Sequence, residues 1–207
     1  MKTMNRSEVE AVVAAARAKG EHPNLARLNL RDADLGKADL RIANLERANL
    51  TNANLKFADL HGAKLTGVDL RGAHLWYANL WGAELSCADL RGADLRRAKL
   101  EGANLTGANL NEADLTSTNL KNADLTGVEL TTAKLWGPDL TDAKWADDPM
   151  TVINHPVPKV RAWVAERITD PTALMQLAMD DEEVVRAAVL ENGSATDEIR
   201  VAVTLRQ

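Results

Sequence analysis

Carboxylates, imidazoles and thiols are where protein chemistry usually starts, and this sequence spreads them out rather than gathering them. Asp or Asn stands at most positions of one five-residue column, as at Asp34, Asp39, Asn44 and Asn49. A lattice that regular singles out no pair for acid–base work. We read it as structural, each side chain hydrogen-bonding to backbone between successive turns of chain. His22, His61, His74 and His155 are scattered. His61 and His74 could meet on neighbouring surfaces, but they lack a third ligand for zinc. The single cysteine, Cys87, excludes an internal disulfide framework, and its neighbours Ser86 and Ala88 offer nothing to lower its pKa. The glycines keep a turn spacing and follow no GxGxxG or phosphate-loop pattern. The sequence therefore predicts no enzyme, no cofactor and no metal site.

What remains is recognition chemistry: aromatic rings and arginines, the residue types that anchor protein interfaces. Phe57, Trp76, Tyr77, Trp81, Arg96 and Arg97 are the candidates. Whether they meet depends on the element that carries them.

That element is a leucine ladder. From Leu25 to Leu140 a leucine stands at every fifth position, 24 in all, and Trp145 takes the next slot. A straight strand would throw successive leucines to opposite faces. An α-helix advances about 100° per residue, so five residues would spiral them around the rod. If the backbone turns once per pentad, every leucine can point at one axis, which makes the ladder a solenoid. The column two before each leucine supports this. Of its 23 positions from Ala33 to Ala143, 19 are Ala, with Val68, Thr118, Val128 and Pro138 as exceptions. The two positions after each leucine are mostly polar or Gly, and the second takes Gly at 62, 67, 72, 82, 92, 102, 107, 127 and 137. Gly there suits a type II turn, whose third residue needs positive φ; where Arg, Asn or Glu replaces it, a different turn is expected. Pro138 removes a backbone donor, so the last coil should be distorted there.

The A(D/N)LXX pattern over residues 25–145 resembles the pentapeptide-repeat family. The resemblance implies an all-β solenoid, a right-handed quadrilateral β-helix with four pentads to a coil. On that basis the ladder makes about six coils about 4.8 Å apart. Folded this way, Phe57 and Tyr77 share an outward column one coil apart with Arg97 next above. Lys56, Trp76 and Arg96 stack beside them, and Trp81 sits one side further on. Four of the seven aromatic residues thus share one patch. Mutual stacking that stiffens a wall is one reading. A partner-binding site is the other, and it is the one adopted as the expectation.

The flanks read as helical. Ser7 to Lys19 carries a Ser7–Glu10 capping-box pattern, a stripe of Val9, Val12, Val13 and Ala16, and a stop at Gly20. It should cover the first coil, with Leu28 helping to seal that end, since an open coil invites end-to-end association. After Asp147-Asp148-Pro149 the pattern breaks, and Lys159–Glu166 matches Val184–Glu191 at an offset of 25, which also sets Leu174 against Ile199. This segment resembles HEAT-like or variant leucine-rich helical repeats and is expected to cap the last coil, with Trp145 and Trp163 as contacts. Asp180 to Glu183 reads as a solvated helix start. The organisation is thus 1–24 capping helix, 25–145 ladder and 146–207 helical repeats.

The net charge is −5, with the ladder almost neutral and the acidity concentrated after residue 145. No basic excess favours nucleic acid, no apolar run spans a membrane and no signal peptide is apparent, so a cytoplasmic protein is expected. The sequence thus predicts a non-enzymatic protein-interaction scaffold whose partner it does not name. The family resemblance supplies a rival: some members mimic DNA on DNA gyrase and protect against topoisomerase poisons. Such a mimic needs an acidic wall. Here 15 basic side chains nearly cancel 16 acidic ones over residues 25–145, and Arg71, Arg91, Arg96, Arg97 and Lys99 crowd the middle.

Overall fold

The computed structural model of this chain describes residues 3–146, 150 and 153–206. It divides into two compact units, Met1–Lys144 and Trp145–Gln207. The break at Asp147-Asp148-Pro149 lies outside the described residues.

In the first unit, each residue before a leucine forms a parallel bridge with the residue twenty positions on, from Asn24↔Asn44 without a gap to Asp124↔Lys144. Twenty residues are four pentads, so the coil has four walls. We number them by their leucines: the first begins at Leu25, the second at Leu30, the third at Leu35 and the fourth at Leu40. Neighbouring coils are tied by backbone bonds that repeat along each wall; on the third, Leu55 N–H donates to His74 at 2.8 Å, Phe57 to Trp76 at 3.0 Å and His74 to Ala53 at 2.9 Å. The ladder is held by isolated bridges, and among the described residues there is no continuous strand. A turn in every pentad leaves too little extended chain between corners for a strand to propagate.

Burial follows the columns. Leu25 through Leu130 are at most 2% exposed, and Ala43 through Ala113 are sealed beside them together with Val68 and Thr118. Thr118 satisfies its hydroxyl by donating to the Leu95 carbonyl at 2.8 Å. Leu135 and Leu140 are only half-buried. Pro138 cannot donate to Leu135, so the usual turn-closing bond is missing there, yet Asn119↔Asp139 still bridges. The turn before it departs as well: Glu112 N–H donates to the Thr132 hydroxyl at 2.9 Å, and Thr132 lacks the positive φ of the other turns.

Each turn closes with the leucine carbonyl accepting from the amide three residues on, as Leu75 does from Ala78 at 2.9 Å. Its third residue has positive φ at every described turn except that of Thr132, whether or not it is glycine: Gly62 has 61°, but Arg27 has 60°, Asn52 55° and Glu112 62°. The expected change of turn type at Arg, Asn and Glu does not occur. The coils above and below bond to each turn and hold its backbone, so the side chain accepts the left-handed cost of about 1–2 kcal/mol. The Asp and Asn lattice also differs from expectation. Its oxygens accept mainly within their own pentad, from the amide two residues on, as Asn54 does from Lys56 at 3.2 Å and Asn79 from Trp81 at 3.3 Å. A short side chain next to a turn reaches its own backbone before it reaches the next coil.

Helix α1 spans Arg6–Ala18. Its capping box is made by Asn5 and Glu8, not Ser7, whose hydroxyl donates to the Asn5 side-chain oxygen Oδ1. Both residues stand three before a glutamate, but it is Asn5 whose side chain accepts from the Glu8 amide at 3.0 Å while its own amide donates to the Glu8 carboxylate at 2.9 Å. Val9 and Val13 are buried. Arg6 donates to the Gly36 carbonyl at 2.9 Å, and Arg17 pairs with Asp39, bringing α1 onto the first coil.

The second unit contains α2 (Pro158–Arg167), α3 (Pro171–Ala178), α4 (Glu183–Glu191) and α5 (Asp197–Thr204). The offset of 25 maps α2 onto α4 and α3 onto α5, and Val164, Leu174, Val185, Val189 and Val203 form their shared core. The repeat extends to the polar contacts. Arg161 donates to the carbonyls of His155 and Pro156, and Arg186 to those of Asp180 and Asp181. Asp180 is not simply solvated: it takes a bidentate bond from Arg161 at 2.7 and 2.9 Å in a half-buried site.

Candidate functional site

The third wall brings Phe57, Trp76 and Tyr77 into one cluster. Phe57 and Tyr77 occupy equivalent turn positions in consecutive coils, so their rings stack nearly parallel, 5.3 Å between centroids and 6° between planes. Trp76 meets both edge-on, at 5.4 Å from Phe57 and 4.9 Å from Tyr77. Arg97, one coil further, lays its guanidinium 5.5 Å from the Tyr77 ring centre and donates to the Tyr77 hydroxyl. Phe57 is 48% exposed and Tyr77 36%, so the cluster stands out from the wall.

Arg96 points elsewhere. It grips Asp94 with two bonds, at 2.8 and 2.7 Å, and that hydrogen-bonded ion pair holds the Asp94 carboxyl below its usual range. It still borders the cluster, because Arg96, Arg97, Lys56, Trp76 and Asp94 line one open hollow beside it. Trp81 is on the fourth wall and pairs with His61, one coil before it, at 4.6 Å and 17°. The six expected residues therefore form a cluster of four on the third wall, a neighbouring Trp81–His61 pair, and an arginine turned to an aspartate.

Two participants were not among the expected residues. His61 serves as the stacking base for Trp81. Ile42 is 46% exposed in the fourth-wall column of Gly62, and it lines a shallow hollow with His61. The sequence does carry a signal for Ile42: a β-branched residue in a column where glycine recurs. Its φ is 53°, close to those of Phe57 at 60° and Tyr77 at 57°. Left-handed backbone is costly for such side chains, which are rare there. Of the exposed large apolar residues up to residue 144, Ile42, Phe57, Tyr77 and Trp81 lie close together on these two adjoining walls, and Trp136 lies on the third wall several coils away.

Nothing in the arrangement resembles a reaction centre. Among the described residues no group of three His, Cys, Asp or Glu side chains could hold a metal, and no helix is long and apolar enough to cross a membrane. His61 and His74, on different walls, make no metal cluster, and Cys87 is a free, exposed thiol.

The repeat itself defines the class. The family model described as pentapeptide repeats matches residues 29–67, 63–102 and 98–137, with eight copies. The chain belongs to the pentapeptide repeat family, whose members fold as right-handed quadrilateral β-helices and are generally structural or interaction proteins. Among solved structures it is similar to HetL of the cyanobacterium Nostoc sp. strain PCC 7120, a pentapeptide repeat protein involved in heterocyst differentiation regulation. The two are 37% identical, the match covers 60% of this chain and 66% of HetL, and the TM-score is 0.33. Rfr23 of the cyanobacterium Cyanothece 51142 is 39% identical over 49% of this chain and 63% of its own, with a TM-score of 0.30. QnrB1, a plasmid-mediated fluoroquinolone resistance protein, is 18% identical over 64% of this chain and 80% of its own, with a TM-score of 0.33. The chain spans just under two thirds of the length of HetL and of Rfr23. Comparison with curated proteins gives no match.

Proposed function

We propose that this protein is a non-enzymatic interaction scaffold, a rod of about six coils with α1 over its first coil. Its third wall and the adjoining part of the fourth hold another protein through Phe57, Trp76, Tyr77, Trp81, Arg96 and Arg97. The acidic helical repeats offer a second surface. One observation carries the reading: apolar rings stand exposed on turn positions whose left-handed backbone they fit poorly, where glycine serves elsewhere in the same rod. Stacking recovers part of that cost, roughly 0.5–1.5 kcal/mol per pair. Rod stability alone gives little reason to put them there, whereas a partner that buries them does.

The rival reading, a DNA mimic on DNA gyrase, finds less support in the charges. Phosphate mimicry needs carboxylates free to face a basic surface. Asp39, Asp69, Asp89 and Asp94 are each gripped by the arginine two residues on. Capture of partners from lysate by the wild-type chain and by Trp76→Ala/Tyr77→Ala tests the first reading. The variant should lose a specific partner at unchanged melting temperature; retained capture with a large loss of stability would assign the rings to the fold instead. A supercoiling assay with a quinolone addresses the rival, which predicts altered inhibition or cleavage.

A further inference from the structure

We propose that the third wall takes an acid-rich segment of its partner protein, carboxylates meeting Lys37, Lys56 and Arg97 while apolar side chains cover the ring edges. This rests on the interaction reading above and adds the partner's chemistry to it.

The wall's charge is one-sided where it faces outward. The two positions after each of its leucines hold Lys37, Lys56, Arg96 and Arg97 and no Asp or Glu from one end to the other. The carboxylates on this wall sit one residue before the leucines, and each is occupied. Asp34 accepts from Asn54 at 2.7 Å, Asp94 is gripped by Arg96, and Asp114 accepts from the Thr116 hydroxyl at 2.6 Å. Among the described residues, Lys37, Lys56 and Arg97 have no carboxylate within ion-pair distance. Arg97 engages only the Tyr77 ring and hydroxyl. Lys37 precedes Phe57 by one coil in the same column, and Arg97 follows Tyr77 by one, so unneutralised cations bracket the stack at both ends.

The rings decide between a protein and a nucleic acid. Binding bases needs an open π-face to stack on. Phe57 covers one face of Tyr77, and Arg97, a coil away on the other side, covers the opposite one. What Tyr77 offers outward is therefore its ring edge, the electropositive part of an aromatic quadrupole. Ring edges and free ammonium groups together suit carboxylates and aliphatic side chains.

Fluorescence anisotropy of the full chain tests this with a labelled peptide alternating Glu and Leu, the same peptide with Gln for Glu, and an oligo-dT strand of equal length. The Glu peptide should bind, binding should weaken with added salt, and Lys37→Glu/Lys56→Glu should lower affinity about tenfold or more. The melting temperature of that variant should not change. Failure of the Glu peptide to bind, equal binding of the Gln peptide, or tighter binding of oligo-dT would overturn the proposal. In the capture experiment, loss of the partner by Trp76→Ala/Tyr77→Ala but not by Lys37→Glu/Lys56→Glu would remove the acid-rich segment and leave the interface standing.

Discussion

At the scale of single residues, the third residue of each turn carries the most information. Fourteen non-glycine side chains among the described residues hold left-handed φ there, so the coil imposes the conformation and the sequence only makes it cheaper or dearer. That is why residue type alone does not give the turn geometry: a propensity rule judges each turn alone, while bonds from both neighbouring coils settle it. Polar side chains recover some of the cost, as Asn52 does by donating to Asp32 at 3.2 Å. Ile42 has no such bond and is half exposed. We expect Ile42→Gly to leave the melting temperature unchanged or raise it, because relief of about 1–2 kcal/mol of strain outweighs about 0.5–1 kcal/mol of added chain entropy. A loss above about 1 kcal/mol in urea denaturation would mean that its side chain holds the wall.

At the scale of elements, the leucine and alanine columns were legible because side-chain period and backbone geometry are the same statement in a solenoid. The doubling of the helical unit was legible for the same reason. Contacts between residues far apart in sequence were not. Arg161 with Asp180, His61 with Trp81, and α1 with Asp39 depend on where elements land, and no local spacing encodes that. The core should behave as a packed stack of layers. Leu75→Ala, at a site with no exposure, should cost about 2–5 kcal/mol. It should also weaken the cluster's support, since Leu75 directly precedes Trp76 and Tyr77. Equilibrium unfolding measures the first effect; a cost below about 1 kcal/mol would contradict a dry shaft.

For the whole molecule, the two units should respond to acid in different ranges. In the helical unit, burial, reinforced by the Arg161 charge, pushes His155 below its ordinary value of 6.5. The unfolded chain therefore binds that proton more readily, and the stability His155 contributes is complete above pH 6.5 and is lost as pH falls through its lower folded value. In the rod, Arg41 and Arg17 hold Asp39, and Arg71, Arg91 and Arg96 hold Asp69, Asp89 and Asp94, below the ordinary carboxylate value of 3.8. Those pairs contribute fully above that value, and the contribution is lost as pH falls through the lower folded values; solvent keeps each one small. Thermal melts followed at the helical far-ultraviolet band should shift down as pH falls below about 6.5, and His155→Gln should abolish the shift. Coincident movement of both units only below about pH 4 would contradict the assignment to His155.

The same scale holds the central claim, that the rod displays its rings for a partner and not for its own stability. Phe57→Gly/Tyr77→Gly removes both rings while giving each turn the residue its backbone favours. Thermal unfolding and partner capture, measured on the same preparation, test the claim most directly. The account predicts a melting temperature equal to or above that of the wild type, with capture lost. A melting temperature lowered by several degrees, with capture intact, would contradict it.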